Sequence, residues 1–199
     1  MSQELSQELS QNLINDFVIA AHHDLTKVEE MLADEPALLN ESAEWMETAV
    51  QAASHVNRPD IINFLLDQGA PMDICTAAVL GMEDDVAALL IEFPDLVEAT
   101  GAHNLPVVYY PAIAGYTNIL SLLVTAGADV SAGDEGNTAL HGAVAFDQVE
   151  AVRWLLSNDA NPYARDYEGR LPIDVANEKG NAEIIALLEP YTEENESGE

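Results

Sequence analysis

Histidine is the side chain best suited to acid–base and metal chemistry near neutral pH. The sequence has five, His22, His23, His55, His103 and His141, so any catalytic reading must use them. The run His22-His23-Asp24 suggests a metal site. Neighbours on a helix point about 100° apart, so the two rings are not expected to reach one ion. Paired carboxylates such as Asp84-Asp85 and Asp134-Glu135 are expected to be solvated faces, because general acid–base work needs a desolvated pair in a pocket. There is no phosphate-binding glycine loop, HExxH, GxSxG or clustered Cys/His spacing, and the spaced calcium-ligand pattern is missing. The expectation is therefore no catalytic residue, no metal and no cofactor. A hydrolase using His22, His23 or His55 with neighbouring acids is the residual alternative.

Charge narrows the partners. Against 36 Asp and Glu stand 6 Lys and Arg, a formal net charge of -30. Residues 59–152 contain fourteen carboxylates and no cation at all. Such a field repels nucleic-acid phosphates and anionic lipid, so neither is an expected partner. A basic protein surface is the natural complement. The same acidity could instead serve solubility or a salty habitat, and composition alone leaves both open. Cys75 is the single cysteine, which excludes an intrachain disulfide and makes a reducing compartment the default. The beginning, MSQELSQELSQNL, has neither the positive start nor the apolar run of a secretory signal, and no apolar stretch approaches the roughly 20 residues that span a bilayer. The expected location is the cytoplasm, and the expected state a monomer.

The elements that would position these residues come from self-similarity. GNTALHGAVAFDQVEAVRWLLSNDANPYARD, residues 136–166, is followed by GRLPIDVANEKGNAEIIALLEP, residues 169–190. Superposing Gly136 on Gly169 also brings Ala143 onto Ala176, Asp147 onto Gly180 and Leu155 onto Leu188. Two earlier stretches, 115–130 and 57–70, repeat the second half of the unit. Each copy encodes two short amphipathic helices: Leu140, Ala143 and Val144 share one face, while Val149, Val152, Leu155 and Leu156 recur at helical spacing in the next. Neither stripe can be buried alone, so the units must stack. Gly69 and Gly127 stand where a left-handed residue would close a helix, and Pro172 suits a first helical turn.

TALH at residues 138–141, GAD at 127–129, the looser TAVQAA at 48–53 and LPIDVA at 171–176 resemble the signature of the ankyrin repeat family. The resemblance covers nearly everything from about Asn15 to Leu188. It implies an all-α solenoid of stacked helix-turn-helix units with short hairpin loops, in six repeats at about 15–40, 41–71, 72–99, 100–132, 133–165 and 166–190. Residues 1–14, with Leu5, Leu9 and Leu13 at four-residue spacing, are expected to form a capping helix, and residues 191–199 an acidic disordered tail. The first and third repeats end in variant phrases, MLADEPALLN and ALLIEFPDLVEA. The fourth carries Pro106 and Pro111, so its first helix should start late and be short.

The resemblance also implies how such a protein works: the partner meets the hairpin tips and the inner face of the first helices, and His141 makes a structural hydrogen bond near a helix start. Carried over position by position, the partner-binding candidates are Trp45, Glu47, His55 and Val56 in the second repeat, and His103, Leu105 and Ile113 in the fourth. The fifth adds Asp134, Glu135, Asn137, Ala145 and Phe146, and the sixth Tyr167, Glu168 and Arg170. Trp45, Phe146 and Tyr167 are the aromatic anchors of this set; Trp45 or Phe146 could instead fold back to fill space. The expected function is non-enzymatic binding of a basic protein through an acidic concave groove. The alternative is a decoy that imitates nucleic acid to sequester a basic nucleic-acid-binding protein or toxin.

Overall fold

A computed structural model describes residues 9–133 and 137–191. Two compact units divide the chain, one ending at Met72 and the other beginning at Asp73. Among the described residues the regular structure is helical, with only two isolated β-bridges.

The first unit contains α1 (Gln11–Ala21), α2 (Leu25–Asp34), α3 (Ala49–His55) and α4 (Pro59–Asp67). Its helix starts follow from capping side chains, which satisfy backbone N–H groups that the helix itself leaves open. Ser10 accepts from the Leu13 N–H, Asp24 from Lys27, and Thr48 from Gln51. The consecutive His22-His23-Asp24 is thereby taken apart: His22 ends α1, His23 lies in the turn, and Asp24 caps α2. α1 packs on α2 and α3, and α4 on α2 and α3, burying Phe17, Val18, Val28, Leu38, Ile61, Ile62 and Leu65. Leu9 precedes α1 and Leu13 lies inside it, while Leu5 falls outside the described residues; so do residues 192–199 of the expected tail.

The second unit holds α5 (Ile74–Val79), α6 (Glu83–Glu92), α7 (Tyr109–Ala114), α8 (Thr117–Ala126), α9 (Ala139–Ala145), α10 (Val149–Ser157), α11 (Pro172–Lys179) and α12 (Ala182–Leu188). The first helices of successive pairs pack in a row, α5 on α7, α7 on α9 and α9 on α11, and the second helices do the same from α6 to α12. This is the stacked arrangement that two short, one-sided stripes require. The turns inside the pairs need a left-handed residue; Asp147 (φ 56°) and Gly115 (φ 82°) supply it in this unit, and Asn57 (φ 54°) in the first. α7 begins at Tyr109 and is six residues long. Pro111 falls in its first turn, where the missing N–H breaks no helical bond.

The variant phrases prove to be a shared device. Each of these second helices ends in a residue that has left the helical conformation, Glu35 or Phe93, followed by a 3-10 turn with proline first, Pro36–Asn40 or Pro94–Glu98. The correspondence extends further. α2 (Leu25–Asp34) recurs as α6 (Glu83–Glu92), and the bridge Ser42–Thr48 recurs as Thr100–Pro106, a shift of 58 residues in every case. Repeats one and two are echoed as a pair by repeats three and four.

Candidate binding loops and a buried polar cluster

The hairpin between Ser42 and Thr48 carries the first group of candidates. Trp45 is 39% exposed at its tip, beside Met46, which is 84% exposed. Met46 also has φ 68°, a left-handed conformation that the presence of a Cβ makes costly. Glu47 behaves differently: its side chain is 2% exposed. The Trp45 indole N–H donates to its Oε2 at 2.7 Å, and His55 Nδ1 lies 3.0 Å from its Oε1. His22 Nε2 stands 3.7 Å from Oε2, and the His22 and His55 rings meet edge to face at 5.0 Å. Burial pushes the Glu47 carboxyl up, but the hydrogen bonds from His55 and Trp45 and the nearby imidazoles outweigh it and leave its pKa below the ordinary value. Glu47 is thus not a groove contact; it is the buried prop under Trp45. Val56 and His55 are half-buried.

The second group gathers on the hairpin 166–170. Asp166 is buried and accepts from the backbone N–H groups of Glu168 and Arg170 at 2.9 and 2.8 Å, while its Oδ2 takes the Arg170 guanidinium at 2.8 Å. Burial alone would raise the Asp166 carboxyl; these backbone and guanidinium bonds prevail and hold it below its ordinary value. Arg170 also reaches Glu168 and Glu178, at 2.8 and 3.0 Å. The result is a fixed loop presenting Tyr167, 70% exposed. Below it a cleft of about 150 Å³ is lined by Tyr109, Asn137, His141, Tyr167 and Arg170 among others. Burial raises the Tyr109 phenol to about 12, so it enters the cleft as a neutral hydroxyl. His141 Nε2 donates to the Arg170 carbonyl at 3.1 Å, and its Nδ1 faces the Thr138 hydroxyl at 2.9 Å. This is a structural link between two repeats.

Other candidates fall elsewhere. Leu105 and Ile113 are buried and offer a partner no side-chain surface. The cause for Ile113 is Gly142, whose missing side chain lets α7 close on α9: a Cβ there would come within 2.8 Å of Ile113 Cγ2. His103 is exposed at the tip of its own hairpin, Phe146 is half-buried at the end of α9, and Asp134 and Glu135 lie outside the described residues. Sequence reasoning missed Met46 and the convergence of His22 with Glu47 and His55. A left-handed methionine leaves no trace in composition, and residues brought together from α1, a hairpin and α3 have no diagnostic spacing.

Stacked helix pairs with exposed hairpin tips define a helical-repeat scaffold. Residues 74–166 and 108–196 match the model described as ankyrin repeats (3 copies), and the chain belongs to the ankyrin repeat family. Ankyrin repeats are protein–protein interaction modules. The chain is 28% identical over 193 residues to the nuclear factor NF-kappa-B p105 subunit of Gallus gallus, covering 92% of itself and 19% of that protein. It is 33% identical over 95 residues to a putative ankyrin repeat protein of Rickettsia bellii, covering 47% of itself and 50% of that chain. A third match, 36% identical over 85 residues, is the glycerophosphocholine phosphodiesterase gde1 of Schizosaccharomyces pombe, with 42% of this chain and 8% of that protein covered. The chain therefore spans half or less of these relatives. No helix among the described residues is long and apolar enough to cross a membrane.

Proposed function

We propose that this chain is a non-enzymatic interaction module that binds a protein with a basic, partly apolar surface through its hairpin tips. The observation carrying this reading is a construction found at two hairpins, in which a buried, hydrogen-bonded carboxylate lies beneath an exposed large side chain: Glu47 under Trp45, and Asp166 beside Tyr167. Loops fixed before binding lose little entropy on association. Exposed Trp, Met and Tyr are the apolar anchors that such an interface needs.

Charge supplies the rest. Arg58, Arg153, Arg170 and Lys179 are already paired with carboxylates of the chain itself. With a formal charge of -30, the surplus acids are left to draw in a basic partner and to repel nucleic acid and anionic membrane. A buried lone cysteine suits a monomer working in the reducing cytoplasm.

The test is capture of partners from native lysate on the wild-type chain, on Tyr167→Ala and on Trp45→Ala/Met46→Ala, at low and high salt. A partner retained by the wild type at low salt should be lost about tenfold or more on either variant. Equal retention on all three baits would contradict the assignment. Displacement of the captured protein by added DNA would favour the decoy.

A further inference from the structure

We propose that His22, Glu47 and His55 form a binding site for one divalent transition-metal ion of the zinc class. Each residue offers one ligand atom, and these atoms all lie within 4.8 Å of one another. His55 Nδ1 stands 3.0 Å from Glu47 Oε1, and His22 Nε2 3.7 Å from the other oxygen, Oε2. Ligands about 2.0–2.1 Å from a tetrahedral zinc stand about 3.3 Å apart, so a small turn of the side chains from within the 4.8 Å limit closes the set around an ion. Two imidazoles and one carboxylate are a recognised zinc donor set with a fourth position left open. His22 faces solvent with 27% of its side chain exposed, which gives the ion a way in.

The outer contacts are those of a prepared site. His22 Nδ1 donates to the Val18 carbonyl at 3.0 Å, which fixes the tautomer that leaves the Nε2 lone pair toward Glu47. The Trp45 indole N–H holds Glu47 Oε2 at 2.7 Å, orienting the carboxylate. His55 Nδ1 lies between Glu47 Oε1, at 3.0 Å, and the Gln51 carbonyl, at 3.2 Å, so it carries a proton in the metal-free protein. Binding through Nδ1 would move that proton to the other ring nitrogen, the tautomer in which a neutral imidazole can ligate the ion.

The fold does not need these polar groups. In the echo displaced by 58 residues the same three places are Leu80, Leu105 and Ile113, and the corresponding hairpin and helices form all the same. An aliphatic trio therefore satisfies the structural role, and burying a glutamate between two histidines instead costs desolvation that a ligand would offset.

The experiment is titration of the metal-free full chain with Zn²⁺ and, as a coloured probe, Co²⁺. The readouts are calorimetric stoichiometry, the visible Co²⁺ spectrum, and the melting temperature. One tight site per chain is expected, with a low-coordinate Co²⁺ spectrum and a metal-dependent rise in melting temperature. Glu47→Gln should weaken binding about tenfold or more. The triple variant His22→Leu/Glu47→Leu/His55→Ile, which imports the residues of the echo, should fold and lose the site. Absence of stoichiometric binding would overturn the proposal. So would equal binding by both variants, which would place the ion on surface carboxylates.

Discussion

Met46 holds a conformation that glycine would adopt at lower cost, yet a large apolar side chain is kept there in full view of solvent. Backbone strain at an exposed position is expected where the side chain serves something outside the fold. Met46→Gly should therefore raise stability, by about 1 kcal/mol, and weaken partner binding, a separation visible by urea denaturation alongside a binding assay. Asp166 gives a second prediction. Its folded pKa lies below its ordinary 3.8, so its stabilising contribution is complete above that value and is lost as pH falls through the folded pKa. Asp166→Asn should cost about 1–3 kcal/mol near neutrality, and the gap between variant and wild type should close as the pH falls through the lowered folded pKa; urea midpoints across pH measure this. Tyr167 and Trp45 were legible in the sequence because the repeat pattern fixes where hairpin tips fall. Met46 was not, since a non-glycine residue does not announce a positive φ.

At the level of elements, the row of first helices depends on close approach at α9. A Cβ on Gly142 would stand 2.6 Å from Tyr109 Cε2 and 2.8 Å from Ile113 Cγ2, both on α7. Gly142→Ala should destabilise the protein by about 1–3 kcal/mol through overpacking, seen as a lower thermal midpoint. The same contact explains why Ile113 could not be placed from sequence: its exposure is decided by a glycine in the next repeat, not by its own helix. The late start of α7 was legible because proline acts locally. The 58-residue echo was hidden because its two copies share turn geometry more than identity, as in EPALLN against FPDLVE. Whole-helix periodicity carried the fold well; the placement of individual side chains between helices did not follow from it.

For the whole molecule, the question is whether the carboxylate surplus serves a partner or a habitat. The two make different demands on salt. A partner-directed field acts at long range and is screened over about 8–10 Å at physiological ionic strength, so binding should weaken sharply from low to high salt while the melting temperature moves little. An acidity set by habitat would show the reverse, a fold that loses stability as salt is withdrawn. The most direct measurement takes the captured partner and determines its affinity for the wild type and for Tyr167→Ala, each at low and high salt. The account predicts a steep salt dependence for both proteins and a roughly constant tenfold or greater deficit for Tyr167→Ala. Affinity that ignores both salt and Tyr167 would contradict it.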